Sequence, residues 1–260
     1  MAKKKITKHI IKPIHTFKHL SLKKEFKKLD TKNNLLEKNK KRKKCKIYLF
    51  RHGQSYYNKR QVFTGWKNSK LTPVGKKQAI RVAKLLKNTK IDIAIHSSLS
   101  RSRHTLKAVL KYHPEVIDCI VDDRIIERSY GELEGKSHKW FVRDAGEEDS
   151  KAAKHWHCME NYCAPEEVIE LLGNAELQII RRSYDITPKN GESMRDVEKR
   201  VNIFIKELVF VIKKYKVNVA ISAHGNSMRP FRKYFEKLTR QEMMKLENPW
   251  DTYFEYEVKV

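Results

Sequence analysis

The sequence predicts an α/β fold: three layers, α/β/α, around a mostly parallel central sheet. Three observations carry this. Ile47-Tyr48-Leu49-Phe50 is a continuous apolar run opened by a β-branched residue, which reads as a buried strand, and it breaks into Arg51-His52-Gly53. From residue 46 onward, strand-like and helix-like segments alternate without internal repeats. A second strand-like run, Val217 to Ser222, leads into another His-Gly pair, His224-Gly225. Parallel sheets bind ligands at the carboxyl ends of their strands, so both imidazoles are expected on one edge.

The elements follow in order. After the strand at 46–51, the chain loops through Phe63-Thr64-Gly65-Trp66 to Thr72-Pro73, an N-cap followed by proline at the first helical position of a helix at about 73–87. Ile91 to Ile95 is the next strand and ends at His96-Ser97-Ser98, before a helix at about 99–112 that carries Arg101 in its first turn. Val116 to Val121 is a short strand. The polar stretch Glu127 to Gly135 precedes a helical region to about 172, and Gly191-Glu192-Ser193 opens a long amphipathic helix at about 193–214. The strand ending at His224 leads to a helix at about 228–236, and a closing strand spans about 252–259.

Two imidazoles and two guanidiniums on one sheet edge would repel one another unless an anion sits among them. A phosphoryl group fits: Arg51, Arg101 and His224 hold its oxygens while neutral His52 attacks phosphorus in line. Gly53 lets the backbone turn sharply and approach a ligand closely. The departing oxygen needs a proton, and Glu127, at the start of a polar loop, is the candidate donor.

Composition bounds the rest. The 260 residues have a formal charge of +26, from 57 Lys/Arg and 31 Asp/Glu. This excess favours anionic partners. Residues 1–44 hold 17 of those cations against Glu25, Asp30 and Glu37, which gives +14. This basic N-terminal extension reads first as a disordered, solvated arm. A nuclear or organellar targeting element, and a nucleic-acid or anionic-membrane contact, are the alternatives. The catalytic domain is expected over 45–260. Four scattered cysteines make no disulfide framework. No run is long and apolar enough for a membrane span, so a cytoplasmic protein is the default expectation.

At this point the motifs resemble the histidine phosphatase superfamily, and within it the cofactor-dependent phosphoglycerate mutases. The matching stretches are RHGQSxxN (51–58), FTGW (63–66), LTPxGxxQA (71–79), the Ser97–Thr105 segment, ERxYGELEG (127–135), RRSYDxTP (181–188), GESM (191–194) and AHGNSMR (223–229), about four fifths of the chain. The resemblance implies that His52 is phosphorylated and that Arg51, Arg101 and His224 form the phosphate pocket. It makes Glu127 the proton donor and acceptor. Ser55, Asn58, Thr64, Gly65, Arg128, Tyr130, Arg181, Arg182 and Asn226 are implied to bind substrate or phosphate. It further implies 2,3-bisphosphoglycerate as a primer, no metal, a small phosphorylated metabolite as partner rather than nucleic acid, and an open question of homo-oligomerisation. A solvated helix end is the plain alternative for Arg181-Arg182.

Three departures from the mutase pattern stand out. The substrate-binding lysine position falls on His138, between Lys136 and Lys139, so Lys136 or His138 would have to serve. An insertion lies at about 149–176. The chain stops at the closing strand, where many mutases continue into a tail that covers the site. Without a cover, phosphohistidine is open to hydrolysis, unless the insertion acts as a lid. The insertion contains His155, His157, Cys158 and Cys163, but their spacing matches no usual zinc pattern, and packing of a helical insertion is the favoured account. Three functions therefore compete: a mutase interconverting 3- and 2-phosphoglycerate, a phosphatase using the same site, and an idle basic binding module.

Overall fold

The computed structural model describes residues 21–157 and 166–260, the side chains of 151–157 excepted. Five strands form one sheet: β1 (Lys44–Arg51), β2 (Ile93–His96), β3 (Asp118–Val121), β4 (Val219–Ala223) and β5 (Tyr253–Lys259). Their order is β3-β2-β4-β1-β5, parallel throughout except for β5, which runs antiparallel along β1.

Alternation along the strands sorts the core into two layers. Ile47, Leu49, Ile93, Ile95, Val219 and Ile221 face α8 (Met194–Tyr215) and α9 (Gly225–Glu236). Tyr48, Phe50, Ala94 and Ala220 face α4 (Pro73–Leu86) and α5 (Ser100–Leu110). The apolar run in β1 is continuous because helices cover both faces, as in parallel sheets generally.

The expected helix starts hold for clear reasons. Thr72 caps α4 by accepting from the Gly75 amide at 2.9 Å, with Pro73 at the first helical position. Ser193 and Asp196 form a reciprocal capping box on α8. The turn after β1 packs directly on α4, since a Cβ on Gly53 would collide with the Gly75 backbone and one on Gly75 with Gln54. The close approach of α4 therefore leaves no room for a side chain at Gly53.

The expectation of a disordered arm fails for residues 21–44; residues 1–20 lie outside those described. Helices α1 (Leu22–Asn33) and α2 (Leu35–Lys38) bury Leu22, Phe26, Leu29 and Leu35 in the α8 side of the core. Each such side chain contributes roughly 1.5–3 kcal/mol. Ser21 Oγ donates to Glu207 on α8 at 2.6 Å, and the Lys23 amide to the same carboxylate at 3.2 Å. Lysine density concealed this stripe: Lys23, Lys24, Lys27, Lys28 and Lys32 are all exposed around it.

The inserted stretch belongs to a helical hairpin rather than a single helical region to 172. α6 (His138–His157) packs along α7 (Glu166–Arg182), and the helices approach closely where Gly146 meets Ile169 and Gly173 meets Val142. Two short helices escaped the sequence reading, α3 (Tyr56–Lys59) and α10 (Arg240–Lys245). Among the described residues no helix is long and apolar enough to cross a membrane.

Candidate active site

Strand register brings the two histidines together. Arg51 of β1 pairs with Ala223 of β4 in a parallel ladder, and the His52 amide donates to Ala223 O at 3.1 Å. The next residues, His52 and His224, therefore emerge side by side at the carboxyl edge, with ring centroids 4.9 Å apart. α5 begins above the end of neighbouring β2 and delivers Arg101 to the same point. Its Nε donates to His52 Nε2 at 3.3 Å, while its terminal nitrogens are held by Lys67 O at 2.9 Å and Gly65 O at 2.8 Å.

These contacts fix the chemical state of His52. Its Nδ1 lies 2.8 Å from Gly53 O, and a carbonyl only accepts, so Nδ1 carries the proton and Nε2 keeps its lone pair. Burial, then the Arg101 and Arg51 charges, hold the imidazole pKa well below its ordinary value. A neutral, oriented imidazole is a nucleophile. Burial also lowers the pKa of His224. Ser97 Oγ accepts from the Leu99 amide and lies 2.7 Å from His224 Nε2. His224 Nδ1 is buried and without a partner. Arg51 Nε is likewise buried and without one. An orphaned guanidinium donor buried beside the His52 imidazole fits an oxyanion.

The buried carboxylate of Glu127 accepts from the Arg128 amide at 2.8 Å and from the Asn226 amide, in the first turn of α9, at 3.1 Å. Its carbonyl is held by Trp66 Nε1 at 2.7 Å and Arg200 at 3.0 Å. Donor atoms of His52, His224 and Glu127 all lie within 4.8 Å of one another. That spacing would also admit a metal ion, but Arg51 and Arg101 converge on the same space and favour an anion. The His155, His157, Cys158 and Cys163 cluster lies outside the residues whose side chains are described.

Above this floor opens a cleft of about 350 Å³ lined by Arg51, His52, Arg101 and Glu127 together with Asn58, Thr64, Gly65, Tyr130, His138, Arg181, Arg182 and Asn226. Gly65 has φ +47°, a left-handed conformation suited to glycine, and its carbonyl anchors Arg101. Burial, then the Arg181 charge, lowers the His138 pKa to about 4.

Three residues that the resemblance assigns to substrate stand elsewhere. Ser55 caps α3, with its hydroxyl committed to Asn58 Oδ1 at 2.9 Å. Lys136 is exposed, its ammonium 4.0 Å from the centroid of the Trp140 ring. Arg128 is fully buried and gives all three guanidinium nitrogens to main-chain carbonyls, those of Glu192, Ile180 and Ile186. It braces the α7–α8 connection instead of meeting a ligand.

The sequence reading missed one wall altogether. Leu246, Glu247, Asn248 and Trp250, between α10 and β5, line the cleft, as does Arg229 of α9. Arg229 lies inside the quoted AHGNSMR motif, but 246–250 offered no pattern beyond a proline beside an aromatic residue.

Comparison with known proteins agrees with this geometry. Residues 47–170 and 155–253 match the family model described as histidine phosphatase superfamily (branch 1). The 2,3-bisphosphoglycerate-dependent phosphoglycerate mutase of Methanococcus vannielii is 31% identical over 210 residues, covering 78% of this chain and 86% of that protein. The corresponding mutase of Rhizobium rhizogenes is 35% identical over 205 residues, 77% of this chain and 83% of that one. Among solved structures, a mycobacterial glucosyl-3-phosphoglycerate phosphatase complexed with VO3 superposes with a TM-score of 0.61 over 81% of this chain and 92% of its own, at 21% identity, a likeness of fold. The register-paired histidines, the converging arginines and the matched residues together place the chain in the histidine phosphatase superfamily, branch 1.

Proposed function

We propose that the protein is a phosphoglycerate mutase, interconverting 3- and 2-phosphoglycerate by phosphoryl transfer through His52. The observation that carries this reading is Arg181. It lines the cleft outside the phosphoryl pocket and, among the described residues, its side chain makes no hydrogen bond or ion pair. A substrate bearing a carboxylate as well as a phosphate needs such a second cationic point. The mutases that match over more than three quarters of the chain support the same assignment.

In this scheme His52 Nε2 attacks phosphorus, and Arg51, Arg101 and His224 hold the phosphoryl oxygens as charge builds on them. Glu127 protonates the departing oxygen and later accepts a proton from the incoming hydroxyl. The orphaned donor in the pocket and the outer arginines suit a bisphosphorylated primer. 2,3-Bisphosphoglycerate, when bound, supplies the phosphoryl group that loads His52. Arg181 and Arg229 are the residues that would hold its remaining anionic groups, whereas Arg182 is already paired with Glu247 at 2.8 Å.

A phosphatase on the same site is the second reading. It is favoured by His138: the position where the mutase pattern has a lysine carries a largely neutral imidazole, and Lys136 turns away onto Trp140. Product analysis separates the two. Purified protein given 3-phosphoglycerate, with and without catalytic 2,3-bisphosphoglycerate, is expected to form 2-phosphoglycerate in a primer-stimulated manner with little free phosphate. Free phosphate without isomerisation would establish the phosphatase instead.

A further inference from the structure

Arg51 is held in an unusual way for a guanidinium that meets phosphate. Its NH1 donates to the main-chain carbonyl of Asn248 at 2.9 Å. The guanidinium carbon lies over the Trp250 ring, 4.7 Å from its centroid. The group also lies against the first residue of α9: a Cβ on Gly225 would come within 3.3 Å of the guanidinium carbon and NH2. Nε remains buried and without a partner. Asn248 and Trp250 belong to a strap that is itself fastened to α9. Asn248 Nδ2 donates to Gly225 O at 2.9 Å, and Arg232 donates to Glu247 O at 3.0 Å and to Asn248 Oδ1 at 3.2 Å.

No carboxylate pairs with Arg51 among the described residues, although Glu127 and Glu247 line the same cleft. This has a chemical logic. A carboxylate would fix the guanidinium but compete with the phosphoryl group for its donors. An indole face and a main-chain carbonyl fix it while leaving Nε and NH2 for the ligand, and indole is the ring that best holds a cation.

We propose that Trp250, with the carbonyl of Asn248, is a positioning residue for Arg51, holding its guanidinium against the strap and Gly225 so that its remaining donors face the transferring phosphoryl group. The proposal rests on the inner pocket being the phosphoryl site, and it holds equally for a mutase and a phosphatase. Preorganised donors matter most where charge develops, so the clamp should favour the five-coordinate geometry of the reacting phosphorus over a ground-state phosphate.

The test is binding of inorganic phosphate and of orthovanadate, which adopts that five-coordinate geometry, to the full chain and four variants. Trp250→Leu keeps an apolar side chain without a π face, Trp250→Phe restores a π face, Arg51→Lys removes the planar group, and the Trp250→Leu/Arg51→Lys pair closes a cycle. Trp250→Leu is expected to weaken orthovanadate about tenfold and phosphate by less, and Trp250→Phe to recover most of the loss. In the Arg51→Lys background the leucine substitution should add little, because its effect acts through Arg51. Equal loss for both anions, or the same factor in both backgrounds, would mean that Trp250 is ordinary packing and would overturn the proposal. Failure of the wild-type chain to bind either anion would overturn the phosphoryl-site reading itself.

Discussion

His52 and His224 stand abreast, ring centroids 4.9 Å apart, because Arg51 and Ala223 are register partners in neighbouring parallel strands. One backbone relationship thus places both imidazoles in the candidate site. A shift of β4 by a single residue would turn His224 to the other face of the sheet.

The first prediction concerns that pair and its acid. His52→Ala should abolish turnover of every phosphoester, since no other group in the cleft is placed to accept the phosphoryl. Any measurable turnover by that variant would refute the phosphohistidine scheme. Glu127→Gln preserves the bonds from the Arg128 and Asn226 amides but cannot pass a proton, and should lower kcat by about 10²–10⁴-fold.

Acid should destabilise the protein before its carboxylates titrate. His52 and His224 are held neutral far below their ordinary pKa, His96 is lowered, and His138 is lowered to about 4, with burial the largest cause in each. The unfolded chain takes up protons on these groups near pH ~6.5. It therefore binds more protons than the folded state below that pH, so stability is full above it and falls as pH drops towards the folded values. Denaturant midpoints measured from pH 7 down to pH 4.5 should decline. His138→Asn should flatten the slope.

Arg128 offers a test of structure against ligand binding. Replacing it with Met strands the carbonyls of Ile180, Ile186 and Glu192, which should cost at least about 2 kcal/mol. KM for the phosphorylated substrate should stay unchanged in the folded fraction, whereas a substrate ligand would raise it.

Phe26→Ala should lower stability by about 3–5 kcal/mol, read as a shift in the guanidinium midpoint. Phe26 is fully buried, with its ring 5.7 Å from that of Tyr215 on α8. An undocked arm would leave the midpoint where it was.

Much of the site was written locally. The apolar run before Arg51-His52-Gly53, the matching end at His224 and the first-turn Arg101 predict both the sheet and the phosphate edge, because a buried strand, a helix cap and a sheet edge leave short-range signatures. The lysine-rich stretch around Phe26 misled for the complementary reason. Its charge is a property of composition, while the burial of Leu22, Phe26 and Leu29 depends on α8, nearly two hundred residues away in the chain.

The sequence by itself determined the strand pattern, the caps, the paired histidines and the family. Only the tertiary structure decided which arginines are free to meet a ligand. Arg128 and Arg51 look alike in a motif, yet one spends its donors on three carbonyls and the other is held by an indole face with Nε to spare. A guanidinium's partners come from whatever the fold brings within about 3 Å of it, and for both residues those partners lie at least fifty residues away along the chain.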